Sequence, residues 1–383
     1  MEHRTEDAIM SPRALGRATL ARQLLLERAP MDAGAALEHL LGLQAQNVRP
    51  PYFALWSRLD GFRPEELSGL MESRAAVRMV TMRSTIHTHT ARDARLLRTL
   101  VQAPRDREVQ QFRKGLVGVD LELLARISRE LVEERPRTMG ELREALLVRW
   151  PEAEPAALSV AARCLLPLVQ VTPRGLWGRS GQVRLTTLDT WLAEDTAGDP
   201  ADASAPTDTP ADSLLDATVL RYLAAFGPAS VRDMQTWSGL TRLRTAFERL
   251  RPKLLVLRDE AGTELFDLPE APRPGEDVPA PARFLPEFDN LLLSHADRSR
   301  IVPAELKGRT WKGNQAYCTF LLDGRLAGVW RLTEERDRAE LVVEPFGQVT
   351  RGQRRELEEE AERLLAELTT APGRAVRFGT ITG

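Results

Sequence analysis

The chain has 383 residues, 43% of them hydrophobic and 28% charged, with a formal net charge of −2. That length exceeds what one core organises, so roughly two to four folding units are expected. No apolar run approaches the ~20 residues of a membrane span, two cysteines cannot frame a disulfide scaffold or a zinc site, and the net charge argues against a uniformly basic nucleic-acid binder.

Residues 1–9 are polar and lack the apolar core of a signal peptide, with Met10 as an alternative start, so a cytoplasmic protein is expected. Helices are predicted at 14–28, 32–43, 51–59 and 64–72, then strands at 77–82 and 85–90; this N-terminal unit is taken as 10–118. A second unit, 119–193, reads as helix 121–132, helix 139–150, helix 156–166 and strands 168–172 and 183–188. Thr138 is placed to N-cap the middle helix, with Glu141 three residues on as in a capping box.

Residues 194–212, rich in Pro, Ala and Asp, read as a flexible acidic linker. The pattern then returns over 213–268: helix 214–225, a helix capped by Ser230 with Asp233 following, helix 241–250, and strands 253–258 and 264–268 around Gly262. Helix–helix–helix–hairpin is winged-helix order, with the third helix a candidate for the major groove. A Pro-rich break covers 269–282, and 283–383 is a β-rich α/β region. There strands 319–322 and 326–332 flank Asp323-Gly324, a strong hairpin turn, and a polar helix spans 352–368.

Charge is segregated along this plan. Residues 10–118 carry 17 basic and 10 acidic side chains, 119–193 balance, 194–217 hold seven acids and no base, and 218–258 carry 8 basic and 2 acidic. A DNA-binding surface needs like charges gathered on one face. Only four of the 53 basic residues are Lys, which codon bias explains, but bias does not explain the clustering.

Two local sequences stand out. In Leu43-Gln44-Ala45-Gln46-Asn47-Val48-Arg49-Pro50-Pro51, Pro50 should push Arg49 out of the helical region and leave the stretch extended. Gln44 and Gln46 would then project together into one cavity, with donors and acceptors for a water and a base or sugar edge. On spacing alone, a pair of glutamines bonding backbone at a helix exit outweighs that reading. In Arg83-Ser84-Thr85-Ile86-His87-Thr88-His89-Thr90, strand alternation puts Thr85, His87 and His89 on one face beside Arg83. No acid or thiol lies nearby to complete a metal site, so phosphate or base contacts and plain solvated hairpin residues stand as the two readings. Tyr52, Phe53 and Trp56 could stack on a base, but aromatics at helical spacing read first as core. There is no phosphate-binding glycine loop, no serine elbow and no zinc-deaminase cysteine pair.

With these motifs, the chain resembles the AlkZ-like winged-helix DNA glycosylases over roughly residues 11–378. The segments that carry the likeness are LLGLQAQNVRPPYFALWSRL (40–59), TMRSTIHTHTARD (81–93), RFLPEFDNLLLSHADRSRIV (283–302) and 311–330. The resemblance implies an α+β fold of three tandem winged-helix units around a basic concave channel, plus the C-terminal β-rich region. It places the family's Gln–apolar–Gln catalytic motif on Gln44, Ala45 and Gln46, with Ala45 smaller than the bulky residue often found between. Asn47, Arg49, Arg83, Thr85, His87, His89, Arg298 and Arg300 are the expected DNA contacts.

The mechanism expected follows from what surrounds the pair. Between residues 33 and 59 the only acid is Glu38, and no Lys precedes Lys114, so a Schiff-base nucleophile is not expected. A neutral glutamine can position water and stabilise an oxocarbenium-like sugar by its dipole. That suffices where the departing base is already cationic, as in N7-alkylguanine or N3-alkyladenine. Gln46 is expected to hold the water and Gln44 to act beside it, without metal or cofactor, in a monomer acting on alkylated duplex DNA. A non-catalytic winged-helix regulator or adduct-binding protein is the alternative.

Overall fold

The computed structural model describes residues 9–193, 211–313 and 315–382; of the expected linker 194–212, residues 194–210 lie outside them, while 211 and 212 open a helix instead. No described helix is long and apolar enough to cross a membrane. The first part runs β1 (Ile9–Met10), α1 (Pro12–Arg22), α2 (Ala33–His39), β2 (Leu43–Gln44), α3 (Pro50–Arg58), α4 (Pro64–Glu72), β3 (Ala76–Val80) and β4 (Ile86–Thr90). Two predicted helices end early. Leu24 takes a left-handed φ of 57° after α1, and Leu41 and Gly42 (φ 56° and 88°) stop α2. Helices α5 (Ala91–Leu100) and α6 (Gln102–Gln111) follow, where no element is expected, because their Arg98 and Arg105 are buried rather than solvated.

The middle part is α7 (Leu121–Glu134), α8 (Met139–Arg149), α9 (Pro155–Leu165), β5 (Leu168–Gln170), β6 (Leu185–Thr187) and α10 (Leu188–Ala193). Its capping box forms as read: Glu141 N donates to Thr138 Oγ1 at 3.1 Å and Thr138 N to Glu141 Oε2 at 2.7 Å. After the undescribed stretch come α11 (Ala211–Phe226), α12 (Val231–Ser238), α13 (Arg244–Leu250), β7 (Leu255–Asp259) and β8 (Glu264–Asp267), with Ser230 and Asp233 closing a second box. Residues 269–282 hold no helix or strand, yet they are strapped to α1: Arg22 donates to Pro272 O at 3.2 Å and Arg13 to Glu276 O at 2.9 Å.

The last part contains β9 (Arg283–Leu285), α14 (Asn290–Leu293), β10 (Trp311–Lys312), β11 (Gln315–Ala316), β12 (Cys318–Leu322), β13 (Arg325–Glu334), β14 (Arg338–Pro345), α15 (Arg351–Leu368) and β15 (Gly373–Phe378). Asp323 and Gly324 turn β12 into β13 with φ of 46° and 73°, the paired positive values of a tight two-residue hairpin.

Two five-stranded sheets frame the molecule, ordered β2-β4-β3-β5-β6 and β15-β14-β13-β12-β9. The first is shared: β5 of the middle part pairs with β3, Met79 opposite Val169. One core then joins the N- and C-terminal parts, since Tyr52, Phe53 and Trp56 of α3 pack with Phe284, Trp330 and Leu364. Burying large aromatic faces on both sides locks α3 to the second sheet, and so sets β2 and the loop after it against residues 285–290 and β12.

Candidate active site

The stretch carrying the two glutamines is built by a close approach. A Cβ on Gly42 would lie 2.1 Å from His89 Nδ1 and 2.8 Å from Thr88 O, so only glycine lets β2 reach β4 at that point. Leu43 then pairs with Thr88, Gln44 with His87, and Ala45 N donates to Ile86 O at 2.7 Å. Pairing with β4, not Pro50, is what extends the chain, and it reaches only Ala45. Arg49 is helical (φ −72°, ψ −33°), contrary to the extended conformation expected before proline.

Ala45 is wholly buried, with Arg78 Nη2 donating to its carbonyl at 2.8 Å. Gln44 is 7% exposed and its Oε1 accepts from Arg83 Nη2 at 2.8 Å, while Gln46 is exposed. Both amides lean on the corner 83–87, because Gln46 Oε1 also lies 3.5 Å from Ile86 N. The pair is therefore split in depth: Gln46 opens onto the cavities described below, and Gln44 stands behind it. Arg83 and Ser84 both have left-handed backbone at this corner (φ 53° and 56°). From there Arg83 also donates to Trp237 O of α12.

His87 Nδ1 donates to Thr85 O at 3.0 Å, which leaves Nε2 to accept from Arg83 Nη2 at 3.4 Å. Burial, then the charge of Arg83, hold His87 well below its ordinary pKa, so it is a neutral imidazole. His89 stacks on it at 5.4 Å, bonds Thr81 Oγ1 at 2.9 Å, and is pushed by burial to a pKa of about 4. The two histidines do share a face, as alternation implies, but that face is interior. Both are at most 1% exposed, so the expected DNA contacts at His87 and His89 are corrected to packed, neutral groups bracing the corner. Thr85 is half-buried with its hydroxyl on Met82 O at 3.1 Å. Among the described residues no three His, Cys, Asp or Glu side chains gather as a metal site.

Gln46 lines two cavities. One, of about 240 Å³, lies between β3–β4 and the middle part, with Ser84, Met139 and Arg163 on its walls. The other, of about 660 Å³, lies between the loop 46–49 and the C-terminal sheet, walled by Phe53, Phe288, Tyr317 and Trp330. That volume and mixed lining suit a flat heteroaromatic ligand with a sugar attached. This second cavity also holds Glu287. Its Oε1 accepts from Asn47 Nδ2 at 2.8 Å and its Oε2 from Cys318 Sγ at 3.1 Å. Sequence reasoning confined to the neighbourhood of the glutamines sees only Glu38, which lies half-exposed near Arg92; Glu287 sits 240 positions from its partner Asn47. Its own signal was its place in the segment 283–302.

Arg49 is exposed on the same rim, paired with Glu334 at 2.8 Å and resting 5.4 Å over Trp177. Arg298 is exposed, but beside a different cavity, with Asp297 and Lys307. Arg300 is 5% exposed and donates to Pro228 O at 2.7 Å and Thr19 Oγ1 at 3.2 Å. A guanidinium so enclosed cannot meet a phosphate, and its expected DNA contact is withdrawn. The basic excess of 10–118 is consumed in the same way: Arg17, Arg22, Arg58, Arg78, Arg98 and Arg105 are all buried. Part of the charge clustering is therefore internal wiring, as in Arg22–Asp267 at 2.5 Å and Arg58–Asp289 at 2.8 Å.

A family description, DNA glycosylase AlkZ-like, matches residues 37–366, a span that contains both glutamines and Glu287. The class that this match names is DNA glycosylase. Within it, the chain belongs to the AlkZ-like family. It is 28% identical over 162 residues to an interstrand DNA cross-link repair glycosylase of Streptomyces sahachiroi, covering 39% of this chain and 42% of that protein. It also superposes on the solved structure of Streptomyces sahachiroi DNA glycosylase AlkZ with a TM-score of 0.76 at 19% identity, over 97% of this chain and 100% of that one. That likeness is one of fold.

Proposed function

We propose that this protein hydrolyses the N-glycosidic bond of cationic alkylated purines in duplex DNA, N7-alkylguanine foremost, with no covalent enzyme intermediate. The observation that carries the reading is Gln46: an exposed amide at the mouth of an aromatic-walled cavity, on a backbone anchored by Ala45 and braced from behind by Gln44, Arg83 and neutral His87. An amide on such a backbone holds a water at the sugar without bearing charge. The leaving base is neutralised as the bond breaks, so no acid is needed. A bulky natural-product adduct or an N7-linked interstrand crosslink presents the same cationic purine, which fits both repair and self-protection against a genotoxin. Among the described residues no lysine lines this cavity, and the reading is one of hydrolysis.

In this reading the three helix–helix–hairpin stretches, 10–118, 119–193 and 213–268, are winged helices that cradle DNA through phosphate contacts, and Asn47, Arg49 and Gln46 face the lesion. The test is release of free 7-methylguanine under single-turnover conditions. Gln46→Ala is expected to lower the rate about 10²-fold, on the scale of losing one positioned dipole, and Gln44→Ala less. Unchanged release by the double variant would remove the catalytic assignment.

A further inference from the structure

We infer that Glu287 is the carboxylate of this reaction: it shares the cavity of Gln46 and accepts the proton of the attacking water. This rests on the glycosylase reading above and deepens it. Three observations place the group. Glu287 and Gln46 line the same cavity of about 660 Å³, and Asn47, the residue after Gln46, donates to Glu287 Oε1 at 2.8 Å. The second oxygen accepts from the Cys318 thiol at 3.1 Å. A carboxylate offers about four lone-pair sites, so two partners orient it and leave acceptor capacity for a water. Burial and the adjacent carboxylate keep the Cys318 thiol pKa well above its ordinary value, so it remains a donor.

The backbone that presents Glu287 is held in an unusual way. Phe288 has a left-handed φ of 62°, costly for a bulky side chain, and packs its ring edge-on to Trp311 at 5.5 Å. The conformation is enforced from both following residues. Asp289 takes both terminal nitrogens of buried Arg58 at 2.8 Å, and Asn290 Nδ2 donates to Gly42 O at 2.9 Å, two residues before Gln44. The strap thus ties the carboxylate to the turn that aims the glutamines. Strain retained beside a cavity and over-determined by buried anchors is the pattern of a positioned functional group.

A carboxylate adds what the amide pair lacks, an acceptor for the proton of the water. As the bond breaks, the positive charge passes from the alkylated base to an oxocarbenium-like sugar, and Gln46 offers that sugar and the incoming water only a dipole. As the water oxygen bonds C1′, the C1′–N bond breaks and its electron pair returns to the base, which leaves neutral. The water's proton passes to Glu287 and from there to solvent.

The experiment compares wild type, Glu287→Gln and Glu287→Ala in single-turnover release of 7-methylguanine from duplex DNA, with DNA affinity and melting temperature measured alongside. Glu287→Gln is expected to lose roughly 10²-fold in rate, the scale of general-base catalysis, with affinity and melting temperature retained. Added formate is expected to restore the Glu287→Ala rate about tenfold or more, because a small carboxylate re-enters the cavity; chloride is not. A Glu287→Gln protein at wild-type rate overturns the proposal, and so does a Glu287→Ala protein that formate cannot rescue. If Glu287→Ala does not fold, the Glu287→Gln rate decides. Wild-type protein that releases no base would instead overturn the glycosylase reading, and loss of release in Gln46→Ala but not in Glu287→Gln overturns this proposal alone.

Discussion

Asp289→Ala would leave the Arg58 guanidinium charged, fully buried and without its carboxylate, since both side chains are 0% exposed. Arg58 keeps only Ala54 O at 3.1 Å and Gln23 Oε1 at 3.3 Å as acceptors, and its Nε has no partner. Breaking a buried pair from one side costs about 3–5 kcal/mol. Asp289 also N-caps α14 through Leu291 N at 2.9 Å, worth about 1 kcal/mol more. The expected loss is a large share of the ~5–15 kcal/mol by which domains are folded, and it should lower the melting temperature by roughly 10 °C or more. Urea unfolding followed by tryptophan fluorescence reads it directly, because Trp56 and Trp330 lie in the core that Arg58 borders. The companion is Arg58→Met with Asp289→Leu. If the penalty is the orphaned charge, the double variant regains most of the stability and retains only the loss of the cap. A single variant that loses under about 1 kcal/mol, or a double variant no better than the single, refutes the reasoning.

Stability should fall as pH drops from about 6.5 towards 4. Unfolded imidazoles take up protons near 6.5, while buried His89, with a folded pKa of about 4, stays neutral through that window. The unfolded state therefore binds more protons, and His89 alone accounts for about 3 kcal/mol of the loss. A urea midpoint that stays flat between pH 7 and 5 contradicts this. Arg83→Ala should destabilise the protein by about 2 kcal/mol, since it removes the charged donor shared by Gln44 Oε1 and Trp237 O. An unchanged melting temperature with reduced base release would instead return Arg83 to a direct role on DNA.

Features governed by a few neighbouring residues could be read from the sequence. The Thr138–Glu141 and Ser230–Asp233 boxes, the start of α4 at Pro64, and the Asp323-Gly324 turn depend on local hydrogen bonds and local φ preferences, so they stand where the residues put them. The glutamine motif itself came from the family likeness, whereas its extended backbone comes from pairing with β4 rather than from Pro50, and Gln44 does not share the cavities that Gln46 lines.

What lay beyond reach was every property set by a distant partner. Arg300, His87 and His89 look like surface chemistry in sequence and are interior in the fold, because burial of a polar side chain depends on whether another element brings it an acceptor. Arg49 turns helical before a proline because α3 is fixed by its core contacts with the second sheet. Glu287 reaches Asn47 only because α3 and the C-terminal sheet share that core. Short-range sterics and hydrogen bonding thus determined the capping boxes, the tight turn and bounds such as those of α4. The carboxylate beside the pair, and the depth at which each amide sits, were decided by packing between segments remote in the chain.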